Sequence, residues 1–378
     1  MAQLALLGLL IALAGRATGW PCSPSSANDC PKPPGGLQPS QVPQFITITW
    51  DDAVDPQSYG IIQKILGGLR QRNGCRIPST FFVLAKDTVP AAVQALYLQG
   101  NEIATHTMTH VGYPSAAEII GCREWLVKET GIPRSKINGF RAPFLLSDAD
   151  TRRTLVKAGF LYDSSIPDTT PSRISRSVTQ RGWPYSMAQG IPQKCDTGKC
   201  SSSEKYPVFE IPLWAAADAH GRPIASMDPP GDAFEIYKRE AREPGELGLC
   251  GMNSPLCIWL QLGWRLSGNH APLGLFFHAG MESDRVDQLR QFIKYAAAIP
   301  NVWFLLAWIQ HPVPASKVAT SLKCTKPNDI SGHACSTYVA DCVFGSWSSR
   351  LCRCVCLDEG RRGGYCRDHS TGECSRLC

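Results

Sequence analysis

Residues 45–55 read FITITWDDAVD, an apolar, β-branched run that ends in two adjacent carboxylates. Alternation and β-branching across Ile46, Thr47, Ile48 and Thr49 predict a buried strand, which places Asp51 and Asp52 where that strand leaves the core. Two neighbouring anions at the end of an apolar strand repel and desolvate each other unless a metal, an arginine or a shared proton compensates them. The simpler reading is a helix N-cap aspartate beside a solvated neighbour. Partners elsewhere in the chain decide between the two.

Downstream of that strand the pattern alternates. Ile61, Ile62, Ile65, Leu66 and Leu69 recur at helical spacing, residues 80–84 read as a strand and 91–98 as a short helix. Residues 102–106 form a strand end, and Ser115 to Glu118 reads as a capping box opening a helix to about Thr130. A strand follows at 137–141; Ser147 caps the next helix, Gly159 ends it, and 160–162 is again a strand. Residues 273–277, a helix from about 284 to 298, and 302–307 continue the rhythm. Repeated βα units imply an α/β fold with a parallel sheet, open or closed into a barrel.

Polar groups fall at the predicted strand ends. His106 and His110, in NEIATHTMTH, lie four apart, so a helical turn would bring both imidazoles to one side. Such a pair alone more often caps or packs than ligates. Together with a strand-terminal carboxylate it makes three ligands that Zn²⁺ accepts, with one position open, as catalytic sites require. Thr107 stands where HExxH would need its glutamate, which excludes that protease signature. Arg141, in NGFRAPF, is a permanently charged forked donor suited to a carboxylate such as Asp51, and His278 ends the apolar run PLGLFFH. Each alone reads as a surface arginine or a satisfied core histidine; at successive strand ends of a βα array they read as a site.

The chain has 378 residues, 43% hydrophobic and 19% charged, enough for one large core with a small appendage. A net charge of +6 with scattered Lys and Arg argues against nucleic acid as the main ligand. Residues 1–19 read as a signal peptide, with an apolar core but no Lys or Arg before it, an uncleaved anchor being the runner-up; export would agree with seventeen cysteines. Eight cysteines precede residue 313, two of them, Cys22 and Cys30, in a linker over 20–41, and nine fall between Cys324 and Cys378. That density predicts a separate disulfide-rich module over 316–378, jointed near Pro312 and Pro314; zinc binding through Cys352, Cys354 and Cys356 is the rival, without the usual CxxC spacing. Residues 166–207 are too long for an ordinary connection, and Cys195 and Cys200 are expected to staple part of it. It reads either as a solvated insertion or as the wall of a substrate groove, with Trp183 and Tyr185 as stacking surfaces.

TWDD (49–52), HTMTH (106–110), RAPF (141–144) and LGLFFH (273–278), in that order, resemble the motif series of the NodB-like polysaccharide deacetylases, carbohydrate esterase family four. The resemblance spans about 42–312, and NGCRIPSTFFV (73–83), YDSS (162–165) and WPY (183–185) give it the flavour of the chitin deacetylase-like branch. It implies a distorted (β/α) barrel that removes acetyl groups from N-acetylglucosamine polymers, most closely chitin or chito-oligosaccharides, with a divalent metal, zinc expected. By motif, Asp51 resembles the general base, Asp52, His106 and His110 the metal ligands, Arg141 the residue orienting the base, and His278 the general acid. Phe144 would offer a backbone N–H to the oxyanion and contact substrate. The second Asp and the Trp common in the fourth motif are missing after Asp163, so Asp163 or Asp168 is expected to support His278.

A secreted metal-dependent deacetylase is therefore the leading function. A non-catalytic glycan-binding protein has no need of a base, so Asp51 argues against it. A two-His-one-carboxylate iron oxygenase shares the ligand types but not the Arg and late His. The basic tail, with Tyr338, Trp347 and Tyr365, reads either as a carbohydrate-anchoring module or as a stapled cap on the barrel.

Overall fold

The computed structural model describes residues 42–168, 182–216, 218, 224–240 and 271–307. The expected signal peptide over 1–19, the linker over 20–41, Cys250, Cys257 and the cysteine-rich module over 316–378 lie outside the described residues.

The apolar run that opens the sequence reading forms β1, Gln44–Asp52, buried at every position but the last. Burial on both faces is what a central parallel strand demands, since neither side of it meets water. β1 is flanked by β2 (Thr80–Val83), β10 (Leu273–His278) and β11 (Val302–Leu305), all parallel to it. Trp50 packs between the rings of Phe81 and Phe277, at 6.4 and 5.8 Å. Burying a side chain of that size contributes about 1.5–3 kcal/mol or more. The N-cap role weighed for the aspartate pair falls to Asp55, whose carboxylate accepts from Ser58 N–H while Ser58 Oγ accepts from Asp55 N–H, opening α1 (Pro56–Leu66). Asp51 and Asp52 are left for something else.

α2 (Pro90–Leu98) leads to β3 (Glu102–Thr105), and α3 (Ala116–Thr130) ends at the expected Thr130, followed by a left-handed Gly131. The strand expected at 137–141 contracts to β4 (Gly139–Phe140). α4 (Ala149–Ala158) starts one residue later than expected, capped by Asp148, because Ser147 is buried and its hydroxyl accepts from Arg152. After Gly159 the strands are two residues each: β5 (Tyr162–Asp163), β6 (Pro167–Asp168), β7 (Tyr185–Ser186), β8 (Phe209–Glu210) and β9 (Leu213–Trp214). α5 (Ala233–Glu240) and α6 (Ser283–Ala297) complete the α-helices among the described residues.

Among the described residues nine strands form one sheet in the order β10-β1-β2-β3-β4-β5-β8-β7, with β11 also on β1; of its pairings only β7 on β8 is antiparallel, and β6 pairs with β9 separately. The βα alternation thus produces a distorted half-barrel. Helices α1, α2, α3 and α6 cover the outer face over the main core. Phe82, Tyr162, Leu213, Trp214 and Phe276 fill the inner face. Residues 224–228 run beside β10, where Met227 bridges Phe276 and Asp228 N–H donates to Phe276 O. None of the helices among the described residues is long and apolar enough to cross a membrane.

The stapled loop forms as expected through a Cys195–Cys200 disulfide. Cys122 is a buried thiol that donates to Val83 O, and burial pushes its pKa up to about 12, so it packs rather than reacts.

Candidate functional site

Parallel strands present their C-terminal ends at one edge, and there β1 delivers Asp51 and Asp52, β3 delivers His106, β4 delivers Arg141 and β10 delivers His278. Asp51 and His278 are register partners on adjacent strands. Asp51, Asp52, His106, His110, Phe144 and His278 all line one cavity of about 600 Å³.

Asp52 Oδ1 lies 3.0 Å from His110 Nε2 and 3.6 Å from His106 Nε2. His106 Nδ1 lies 2.8 Å from Arg141 O, which fixes the tautomer: Nδ1 donates and Nε2 presents a bare lone pair. Burial drives the His106 pKa down to about 3 against the pull of Asp52, so the ring stays neutral, as a ligand must. Asp52 Oδ1 has no hydrogen-bond donor among the described residues although it is buried. An orphaned carboxylate oxygen facing imidazole nitrogens, with all three ligand atoms within 4.8 Å of one another, fits a divalent cation. The three residues are a metal-binding triad; two imidazoles and one carboxylate do not by themselves select the metal.

The two histidines do not converge through a helical turn. Thr107 and His110 have φ of 73° and 66°, so the segment is a loop that folds back on itself. Glu118 holds it: its carboxylate accepts from Met108 N–H, Thr109 N–H and the Thr109 hydroxyl, and so does not return to close the expected capping box at Ser115. Asp52, Phe144, Leu145 and Asp228 also have positive φ, of 81°, 56°, 58° and 44°. Each costs on the order of 1–3 kcal/mol, and their gathering around one cavity is what a pre-shaped site requires.

Behind the triad, Arg141 is fully buried. Nη1 donates to Asp51 Oδ1 at 2.6 Å and to Thr49 Oγ1 at 2.9 Å, Nε to Ser164 O and Nη2 to Ser164 Oγ, while the guanidinium lies 4.0 Å over the Phe82 ring. Every face of the charge is met, which is what burial of an arginine demands. Burial raises the Asp51 pKa above the ordinary carboxylate value, and Arg141 and His278 oppose it. The carboxylate is held in place but kept basic.

His278 Nδ1 contacts Asp228 Oδ2, and His278 N–H donates to Asp228 Oδ1 at 3.2 Å. The Asp228 hydrogen bond is the largest cause of a His278 pKa raised to about 9, with further help from Asp51 and Asp52. This corrects the expectation for Asp163 and Asp168. Asp163 is buried, accepts from Ser165 Oγ and lies on β5, which β1 to β4 separate from β10 in the sheet; Asp168, on β6 in the separate pair with β9, accepts from Gly182 N–H at 3.0 Å, and it is Asp228 that binds the His278 ring. Asp228 was missed in the sequence because it lies fifty residues from its partner; its only local mark is MDPPG, a turn-like stretch with no catalytic pattern.

Trp183 and Tyr185 are also corrected as stacking surfaces. They are 4% and 1% exposed, and Tyr185 packs among Ile166, Met187, Ile191 and Val208. Phe144 does face the cavity: it is 61% exposed and sets its ring edge-on to His110 at 4.6 Å.

A family model described as Polysaccharide deacetylase matches residues 39–162, which span Asp51, Asp52, both loop histidines and Arg141 but stop short of Asp228 and His278. The chain is similar to "Chitin deacetylase 8" of Bombyx mori, 27% identical over 343 residues, 82% of this chain and 85% of that protein. It is 29% identical over 301 residues to "Chitin deacetylase 1" of the same organism, covering 74% of this chain and 53% of that protein, so it spans about half of that relative. A "Chitooligosaccharide deacetylase" of Sinorhizobium fredii is 30% identical over 121 residues, 30% of this chain and 53% of that protein.

Proposed function

We propose a function from the premise that this chain belongs to the NodB-like polysaccharide deacetylase family and is related to chitin deacetylases: it hydrolyses the N-acetyl groups of N-acetylglucosamine polymers, with chitin or its oligomers as the substrate. The observation that carries this reading is the joining of a held base, Asp51, and an acid held protonated, His278, to a metal triad in one cavity. A glycan-binding protein needs neither proton carrier.

Asp52, His106 and His110 would hold the ion, for which zinc is our choice because its sites accept this ligand set. When bound, a divalent metal polarises the acetamide carbonyl and acidifies the attacking water. Asp51 takes the proton as the water oxygen bonds to the carbonyl carbon, and Arg141 prevents the carboxylate from turning away. His278 then gives its proton to the nitrogen as the C–N bond breaks, so the products are acetate and a free amine. Asp228 fixes the imidazole by its ring nitrogen and keeps it charged until the proton is needed. Phe144 forms one wall for the sugar beside His110.

Export, read from residues 1–19, belongs to the same proposal, since such polymers lie outside cells. The test is acetate release from chito-oligomers and from peptidoglycan fragments after chelation, with and without added Zn²⁺. Release restored by the metal is expected, greater on chito-oligomers. No release from either polymer with any divalent metal overturns the reading.

A further inference from the structure

The two imidazoles of the triad are held in different ways. His106 is tied at backbone and ring: its N–H donates to Val83 O at 2.9 Å, its Nδ1 donates to Arg141 O at 2.8 Å, and its side chain is 2% exposed. His110 lies four residues further along the loop, and its side chain is 27% exposed. Its Nε2 faces Asp52 Oδ1 at 3.0 Å and its ring meets the Phe144 ring, but no group among the described residues binds its Nδ1. A ligating histidine ordinarily has its second ring nitrogen tied, which fixes the direction of the first. What aims His110 must therefore act through the backbone.

One face of α3 supplies that backbone support. Glu118 Oε2 accepts from Met108 N–H and Thr109 N–H, each at 2.9 Å, and Oε1 accepts from the Thr109 hydroxyl at 2.8 Å. Gly121, three residues on and so on the same helix face, seats the Met108 side chain: a Cβ there would stand 3.3 Å from Met108 Cγ. From the opposite side Ala85 N–H donates to Thr107 O at 3.1 Å and Lys86 N–H to Met108 O at 2.9 Å. Within this clamp Thr107 and His110 take left-handed backbone, with the Thr107 hydroxyl accepting from His110 N–H at 3.1 Å. Residues with a Cβ keep that conformation only where their surroundings impose it. Of the supports from outside the loop, the Glu118 carboxylate is the one that grips Thr109, the residue before His110.

We propose that Glu118 is the positioning residue for His110, and that the triad has a fixed half, Asp52 and His106, and a hinged half, His110, through which the metal leaves. By holding residues 108 and 109, Glu118 opposes the opening of that hinge and so slows the loss of the ion. Substrate plays no part in this, so failure of the deacetylase reading would leave it standing.

The test uses full-length, zinc-loaded protein and needs no turnover. Transfer of Zn²⁺ to an excess of a chromogenic chelator is followed by absorbance for wild type, Glu118→Ala and Glu118→Gln. Release is expected to quicken about 10–100-fold in Glu118→Ala, the usual range for a group that orients a ligand. Glu118→Gln is expected to recover most of that loss, because its amide oxygen can accept both N–H groups while its NH₂ donates to the Thr109 hydroxyl. An unchanged rate in Glu118→Ala overturns the assignment, as does a wild type that takes up no zinc. Equal acceleration in both variants also overturns it, since charge and not aim would then hold the ion. Urea midpoints of the metal-free proteins are read alongside: a lowered midpoint with an unmoved release rate is what a merely structural contact gives, and it too overturns the role. If Glu118→Ala does not fold, Thr109→Ala, which removes the hydroxyl arm alone, carries the comparison, with a smaller rise expected and no rise overturning the proposal.

Discussion

Two carboxylate-rich clusters stand at strand ends of this sheet, and they behave oppositely. Around the cavity, Asp52, Asp228 and His278 are each 35–41% exposed at the side chain. On β5, β8 and β7, Asp163, Glu210 and Tyr185 form a register row across three strands and are 0–1% exposed. Asp163 Oδ2, Glu210 Oε2 and Tyr185 Oη have no hydrogen-bond partner among the described residues. Burial pushes the Asp163 pKa up to about 6 and that of Glu210 well above its ordinary value, with each other's charge adding to the latter. The dry row therefore keeps a proton, whereas in the open cluster His278 keeps its charge. Strand position is shared; opening onto the cavity separates a site from a brace.

The brace still serves the site. Asp163 accepts from Ser165, whose Oγ accepts from Ala142 N–H at 2.9 Å, and Glu210 Oε1 accepts from Ile166 N–H at 2.9 Å. These bonds hold the segment whose Ser164 binds Arg141. The contrast can be broken at either end. The largest effect is expected at the metal: His106→Ala or His110→Ala should abolish bound metal and reduce activity to background while the fold remains, read by metal content of the purified protein. Unchanged metal in both variants would sink the assignment.

Next comes the base. Asp51→Asn should keep the metal and lower kcat by roughly 10²–10⁴, and a near-normal rate would show that another group takes the proton. Asp228→Asn should cost less, about 10–100-fold by analogy with other orienting partners, and should also change the pH profile. Because the His278 pKa is raised to about 9, the acid form persists up to that pH, and activity is expected to fall as pH rises through it. Without the Asp228 hydrogen bond the alkaline limb should move down toward the ordinary histidine value; an unmoved limb would refute the coupling. The same sign governs stability: the pair's contribution is full below the ordinary value and lost as pH climbs through about 9.

The smallest effect on turnover is expected in the dry row, where stability is the readout. An acid whose folded pKa is raised binds its proton more tightly when folded, so stability is greatest below the unfolded value and declines as pH rises through about 6 for Asp163. Asp163→Asn should flatten that decline in urea midpoints measured from pH 4 to 8. Glu210→Gln should be tolerated at neutral pH, since an amide replaces a protonated carboxyl, whereas Glu210→Ala should cost about 1–3 kcal/mol by orphaning Ile166 N–H. Equal losses in both Glu210 variants would mean that the row holds charges after all.

What the sequence by itself determined is local. The buried strand, its terminal Asp pair, the glycine stop at Gly159, and the Cys195–Cys200 closure follow from side-chain period, backbone freedom and short-loop geometry, none of which needs distant partners. His106, Arg141 and His278 were legible for the same reason, as polar residues closing apolar runs. Only the tertiary structure decided the rest. Asp228 reaches His278 because residues 224–228 pair beside β10, Glu118 abandons its capping box for the histidine loop, and Trp183 and Tyr185 turn inward where the sheet curls. Each of these depends on which distant segment arrives and excludes water, and spacing along a chain does not encode that.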